Sequence, residues 1–274
     1  MEKIIFTDKK GFLEKVARMK VGGTKSLHII SDFDLTLTRA DVNGKRAVTT
    51  WEVCQLGEEY IKERERQKAI YLPIEYDSSI PFEIKNEKMR EWWKLHLGAL
   101  IKYGLTKEMI DGGTLHASIT PRQKLDELFS TTNSLGIPFV ILSAGLGDVI
   151  YEFFSLRKMS YPNMHIISNF FTFDNNGKPT GFQDDIVHAC NKSEAHLRGS
   201  GYLKDIESRR NVILLGDSPG DAEMVQGVDH ENVIKVAFLN GKNDKLDAYK
   251  ELFDVIITED GGVDFVLDLL KSLE

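Results

Sequence analysis

Asp32 and Asp34 are the two residues whose type and spacing point most directly to chemistry. They stand in Ser31-Asp32-Phe33-Asp34-Leu35-Thr36, just after the apolar, branched run Leu27-His28-Ile29-Ile30, which predicts a buried strand. Beyond a strand end, residues i and i+2 of a still-extended chain point the same way. Both carboxylates then face one spot, and Phe33 turns back into the core. Two carboxylates so placed repel each other unless a cation or a shared proton intervenes. A hard divalent cation with oxygen ligands, Mg²⁺, answers that need and clamps a phosphate as well. Asp32 is then free to attack phosphorus, and Asp34 can manage the leaving-group proton.

Alone, Asp-x-Asp-x-Thr is a modest signal, which ordinary residue usage yields in on the order of a few per cent of chains this long. An acidic, solvated turn would account for it. Its partners downstream change the balance. Gly216-Asp217-Ser218-Pro219-Gly220-Asp221 follows the strand-like Val212–Leu215, and acids among glycines after an apolar strand suit a Mg²⁺ better than a packed core. Ser143 ends the run Ile137–Leu142. It reads either as strand-to-helix punctuation or as a hydroxyl that, with N–H groups at a helix start, holds phosphate oxygens. Lys192 is expected to open a helix, where the dipole disfavours a cation. A phosphate beside Asp32 needs such a positive charge in addition to the metal.

The elements that must position these residues alternate. A helical stripe from Phe12 to Met19, begun at Thr7-Asp8, precedes the first catalytic strand. From about residue 119, helix and strand alternate again: a helix over Arg122–Asn133, the strand to Leu142, then helix Val149–Leu156 and strand His165–Ile167. A hairpin follows on Asp174-Asn175-Asn176-Gly177, then strands at Val212–Leu215, Val233–Phe238 and Val255–Ile257, and a closing helix Val263–Leu273. This is the pattern of an α/β fold with an open, Rossmann-like doubly wound parallel sheet, which binds ligands beyond the carboxyl ends of its strands. Between residues 39 and 118 no strand is apparent. A charged helix from Trp51 to Ala69, a break at Leu72-Pro73-Ile74-Glu75, a long helix from Phe82 to Tyr103 and a short one at Lys107–Asp111 read as a helical insertion. The expected organisation is core over residues 1–45, a helical cap over 46–118 and core over 119–274.

Bulk properties agree with a small-molecule enzyme. The 274 residues are 42% apolar and 28% charged, with a formal charge of −7. Such acidity offers no bulk attraction for nucleic-acid polymers or anionic membranes, so neither is an expected partner. Cys54 and Cys190 show no metal-type spacing and read as reduced thiols of a cytoplasmic protein. Neither a signal-peptide h-region nor a membrane-length apolar run is present, and a monomer is expected.

Together Asp32-Phe33-Asp34-Leu35-Thr36, Ser143, Lys192 and Gly216-Asp217-Ser218-x-Gly220-Asp221 resemble the four motifs of the haloacid-dehalogenase-like phosphatases. Tyr71–Glu75, Ile141–Ile150, Ser168-Asn169-Phe170, Asn191-Lys192 and Ile213–Ser218 narrow the resemblance to the cytosolic pyrimidine 5′-nucleotidases (cytosolic 5′-nucleotidase III), over roughly residues 5 to 272. The resemblance implies Mg²⁺-dependent hydrolysis of a nucleoside 5′-monophosphate through an aspartyl-phosphate on Asp32. Mg²⁺ is held by Asp32, the Asp34 carbonyl and Asp217, with Thr36, Ser218 and Asp221 around them. Ser143, the Ala144 N–H and Lys192 bind the phosphoryl group. Glu75 is implied to contact the base. His96 stands where the family carries a base-lining serine, so a larger ring that titrates near neutral pH should narrow the pocket. Pyrimidine monophosphates are the expected substrates. Other small phosphates, such as 7-methylguanosine monophosphate or phosphoserine, are the alternative, and an inactive binding protein is disfavoured by the intact acid set.

Overall fold

Strand β1 (Ile4–Phe6) leads into helix α1 (Lys9–Gly22), which starts where Asp8 accepts the Gly11 N–H at 3.0 Å. Next comes β2 (Leu27–Ser31), buried at every residue. In this computed structural model, which describes residues 3–54, 56–77, 79–197, 201–241 and 245–274, the chain leaves the sheet after β2. A short hairpin, β3 (Asp41–Val42) and β4 (Lys45–Arg46), precedes helices α2 (Glu58–Tyr76), α3 (Phe82–Lys102) and α4 (Lys107–His116). The chain returns through α5 (Leu125–Ser134), β5 (Phe139–Leu146), α6 (Gly147–Arg157) and β6 (Met164–Asn169). A hairpin of β7 (Phe171–Phe173) and β8 (Pro179–Phe182) follows, then α7 (Leu203–Ile206) and β9 (Asn211–Gly216). Strand β10 (Asn232–Leu239), α8 (Leu246–Leu252), β11 (Val255–Thr258) and α9 (Asp264–Leu273) complete the chain.

Seven strands form one sheet in the order β1-β11-β10-β9-β2-β5-β6. All neighbours pair in parallel except β1, which runs antiparallel to β11 at the edge. Strand β2 is central, and the chain order reverses between it and β9, so the crevice at their carboxyl ends is a topological switch point. Period-2 alternation divides the core. Ile29, Ile141, Ile213, Leu215 and Phe238 join one cluster, and Ile30, Val140, Leu142, Leu214 and Ala237 the other. Helix α9 shows what helical spacing contributes: Val266, Leu267, Leu270 and Leu273 are all buried, each stabilising by roughly 1.5–3 kcal/mol.

The doubly wound sheet is as expected, and several local readings need correction. Residues 4–6 form the edge strand β1, which the sequence reading had not assigned; the run is short and half-exposed, so burial gives it little pattern. A strand pair does occur after residue 39. Asn43 (φ 57°) and Gly44 (φ 77°) make the two-residue turn between β3 and β4, the Asn-Gly chemistry such turns favour. The first inserted helix begins at Glu58, because Thr49 caps a separate 3-10 turn at Thr50–Glu52. That helix then runs through Pro73 to Tyr76 without the expected break. Strand β5 continues past Ser143 to Leu146, and Lys192 lies in an irregular segment ahead of a 3-10 turn at Glu194–Leu197, so no helix opens at either residue.

Candidate active site

Strands β9, β2 and β5 lie side by side, and their carboxyl ends carry Asp217, Asp32 and Ser143. The Asp32 N–H still bonds to the Leu215 carbonyl at 3.0 Å, one residue beyond β2. Phe33 is fully buried, and the chain then turns through Leu35 at φ 61°. A buried arginine holds that turn: Arg122 donates to the carbonyls of Thr36 at 2.6 Å and Leu35 at 2.5 Å, and to Asp260 at 3.1 Å. Sequence reading passed over Arg122, because nothing local marks a buried cation.

Asp32, Asp217 and Asp221 each place a carboxylate oxygen within 4.8 Å of the others. Lys192 bonds to Asp32 and, at 2.7 Å, to Asp221. The other Asp221 oxygen accepts the N–H groups of Asp217 (3.1 Å) and Ser218 (2.9 Å) and the Ser218 hydroxyl (2.8 Å), which locks the loop after β9. Thr36 donates its hydroxyl to Asp217 at 3.2 Å. Burial pushes the Asp32 carboxyl up to about 6, with Lys192 opposing and Asp221 adding to the rise. Burial, then Asp221 and Asp32, raise Asp217 well above the carboxylate range. Burial works against the Lys192 charge, but Asp221 and Asp32 outweigh it and raise its pKa. Three carboxylates face one ammonium, a formal excess of two negative charges. A donor set made only of hard oxygens, in that excess, suits a divalent cation.

Asp34 is not part of this group and pairs with Thr50 instead. Its Oδ1 accepts the Thr50 N–H at 2.9 Å and its Oδ2 pairs with the Thr50 hydroxyl at 2.6 Å. Burial raises its pKa to about 7, with the Thr50 bond opposing and the Asp32 charge assisting. Such a group keeps its proton close to neutral pH. Thr50 escaped sequence reading, although Thr49-x-x-Glu52 is a capping-box signature and both reciprocal bonds are present. Gly145 completes the contact. A Cβ there would sit 2.2 Å from Thr50 Oγ1, 3.1 Å from Asp34 Oδ2 and 3.2 Å from Ser143 Oγ, so no other residue fits without displacing them.

Ser143 is buried and its Oγ accepts the Gly145 N–H at 3.1 Å. The carbonyls behind it are tied down: Asn169 donates to Ala144 at 2.8 Å, and Ser168 to Gly145 at 3.0 Å. Trp93 of α3 also donates its indole N–H to the Ala144 carbonyl, at 3.0 Å, which docks the inserted helices on this loop. Its neighbours Trp51, Trp92 and His96 wall a cavity of about 160 Å³, with Arg64 and Lys68 also lining it. Trp51 meets His96 edge-on at 4.5 Å between centroids, and Trp92 stacks on Tyr71. His96 is buried; that burial, then Arg64 and Lys68, lower its pKa to about 4, so it does not titrate near neutral pH as expected. Glu75 is not part of this cavity wall. It lies in the last turn of α2, half-buried, with its pKa raised by burial and lowered by Lys85, and its charge is felt at Cys190 near Lys192. The geometry therefore gathers Asp32, Asp34, Thr36, Asp217, Ser218, Asp221, Lys192, Ser143 and Ala144 into one site, and leaves Glu75 and His96 on separate walls beside it.

A parallel sheet with its switch point at an aspartate pair, a second acidic loop and a buried lysine is the architecture of a haloacid-dehalogenase-type phosphatase. A phosphoserine phosphatase structure from Vibrio cholerae shares this fold at TM-score 0.58, with 13% identity over 93% of this chain and 67% of that one. More specific likenesses follow. The profile of the pyrimidine 5′-nucleotidase (UMPH-1) family matches residues 35–274, and the chain belongs to that family. A Xenopus laevis 7-methylguanosine phosphate-specific 5′-nucleotidase is 34% identical over 96% of this chain and 93% of its own length. The structure of cytosolic 5′-nucleotidase IIIB bound to cytidine superposes at TM-score 0.84, with 27% identity, covering 98% of this chain and 93% of that one. The enzyme is accordingly a 5′-nucleotidase, a hydrolase of nucleoside monophosphates.

Proposed function

We propose that this enzyme hydrolyses pyrimidine nucleoside 5′-monophosphates with Mg²⁺ as its metal. Asp32, the Asp34 carbonyl and Asp217 would hold the ion, with Thr36, Ser218 and Asp221 around them. When bound, Mg²⁺ neutralises the negative excess and polarises the phosphoryl oxygens. Asp32 Oδ attacks phosphorus, the bond to the 5′-oxygen breaks, and Asp34 delivers its proton to that oxygen. Water then cleaves the aspartyl-phosphate. Asp34 takes the proton from this water, which releases phosphate and restores both carboxyl groups. Ser143, the Ala144 N–H and Lys192 bind the transferring group, so catalysis is positioning and charge neutralisation. The single observation that carries the reading is the split between the two acids. Asp32 is ion-paired to Lys192 within the metal-type cluster, whereas Asp34, outside that cluster and bonded to Thr50 with its pKa raised to about 7, is suited to carry the proton.

Residues 46–118 act as a cap over this site, with the base between Glu75 and the tryptophan-walled cavity. A cytoplasmic monomer is the proposed form; Cys54 and Cys190 are free thiols, and no helix among the described residues is long and apolar enough to cross a membrane. The cavity lining is of mixed charge, Arg46, Arg64 and Lys68 with Glu52 beside tryptophan faces, so the pyrimidine reading draws its support from the family match. The second reading, 7-methylguanosine monophosphate, draws support from the names of the relatives. Phosphate release from CMP, UMP, 7-methylguanosine monophosphate and phosphoserine, with and without Mg²⁺, tests both. Turnover of CMP and UMP that requires Mg²⁺ is expected; activity only on 7-methylguanosine monophosphate would establish the second reading, and full activity in EDTA would remove the metal.

A further inference from the structure

Lys192 has to place its ammonium on Asp32, yet residues 183–193 around it contain neither helix nor strand. Local bonds shape the segment: Asn191 accepts the His188 N–H and donates to the Ile186 carbonyl, each at 2.7 Å. Asn169 of β6 holds both backbone groups of Val187 at 2.9 Å, which ties the start of the segment to the sheet five residues before Lys192. Two residues beyond Lys192, Glu194 is completely buried. Its N–H bonds to the Met224 carbonyl at 2.7 Å, and its carboxylate lies between two histidines from distant parts of the chain. His28 Nε2 is 2.6 Å from Oε1, and His230 Nε2 bonds to Oε2. His28 sits in β2, four residues before Asp32. His230 sits between the loop of Asp221 and β10.

We propose that Glu194 is the positioning residue for Lys192, clamping its segment through His28 to the strand that carries Asp32 and through His230 to the loop before β10. The inference rests on the role assigned to Lys192 above. A buried carboxylate is tolerated only when paired and hydrogen-bonded, so this one holds its segment in a single place. Burial opposes its charge, but the bonds from His230 and His28 outweigh that and lower its pKa. The second nitrogen of His28, Nδ1, meets the Arg209 carbonyl at 3.1 Å. Both ring nitrogens of His28 therefore have a partner, which fixes the orientation of the ring that Glu194 meets. Two histidines and a glutamate also resemble a metal site. Metal bonds of about 2.0–2.1 Å would hold tetrahedral ligands roughly 3 Å apart, and here nitrogen and oxygen already meet at hydrogen-bond distance.

A double-mutant cycle on the full chain, read as kcat and KM for Mg²⁺-dependent phosphate release from CMP, tests the clamp. Glu194→Gln keeps the volume and one acceptor, and it serves if Glu194→Ala does not fold. It should lower kcat about tenfold with little change in nucleotide KM, and lower it less than about twofold in a Lys192→Ala background, because its effect passes through that lysine. Equal losses in both backgrounds would show a merely structural role and overturn the proposal, as would an unchanged kcat. If Lys192→Ala itself kept full turnover, the role of Lys192 would fall and this inference with it. A loss in Lys192→Ala with no effect of Glu194→Gln would overturn this inference alone. Wild-type protein holding one equivalent of a transition metal that Glu194→Gln lacks would replace the clamp with a metal site.

Discussion

At the ends of β9, β2 and β5 the side chains hold one another: Asp221 accepts from three groups of the Asp217-Ser218 loop and pairs with Lys192, and Asp34 is matched by both donors of Thr50. The cavity beside α2 and α3 is walled instead by aromatic rings, with Glu52, paired to Arg46 at 2.9 Å, also lining it; the Glu75 carboxylate, outside that wall, makes no hydrogen bond or ion pair with any described residue. The first region is preorganised for one small, highly charged group. The second offers flat apolar faces with a few polar edges, which suits recognition of a base and tolerates change. Alterations at the strand ends should therefore cost turnover, and alterations in the cavity should cost affinity and selectivity.

Replacing Asp32, the proposed nucleophile, gives the sharpest contrast. Asp32→Asn should lower kcat by about 10⁴-fold or more on every substrate while the protein stays folded, since only the attacking oxygen is lost. Thermal melting and phosphate release on one preparation check this, and substantial residual turnover would move the nucleophile elsewhere. Asp34→Asn should cost about 10²–10⁴-fold on a nucleotide, whose leaving 5′-oxygen needs a proton. p-Nitrophenolate leaves unaided, so this variant should release one equivalent per enzyme in a burst and then stall, for want of a base to activate water. With the Asp34 pKa near 7, wild-type turnover should fall as pH rises past neutrality and the acid is lost, and Asp34→Asn should abolish that alkaline limb.

The cavity side should behave differently. Glu75→Ala should raise nucleotide KM by about 10–100-fold and leave p-nitrophenyl phosphate untouched. Equal losses on both would assign Glu75 to the chemistry and erase the distinction between the regions. Trp93 joins the two, because its indole N–H holds the Ala144 carbonyl. Trp93→Phe removes one hydrogen bond, worth about 0.5–1.5 kcal/mol, and should lower kcat/KM several-fold on nucleotide and p-nitrophenyl phosphate alike. The smallest effect belongs to His96. Its pKa, lowered to about 4, keeps the ring neutral from pH 5.5 to 8, so nucleotide KM should show no His96-dependent change across that range. His96→Ser should improve the larger 7-methylguanosine monophosphate over CMP by a few-fold, through the space it opens.

Local sequence was enough to establish the sheet and the phosphate chemistry. Branched apolar runs that end in Asp32, Ser143 and Gly216-Asp217 are contiguous signals, and the parallel topology brings the three strand ends together without further instruction. Pro73 looked like a helix break, but helix α2 runs on through it. Tertiary packing alone decided the partners. Thr50 reaches Asp34 across 16 residues, Trp93 reaches Ala144 across 51, Arg122 reaches Leu35 across 87, and Glu194 reaches His28 across 166. Placement in space reversed one chemical expectation as well: burial beside Arg64 and Lys68 makes a neutral ring of His96, which by residue type alone would titrate near neutral pH. Motifs fix which atoms can react because each is written in a few consecutive residues. Donor pairing, desolvation and pKa depend on neighbours distant in the chain, and only the folded packing brings those neighbours together.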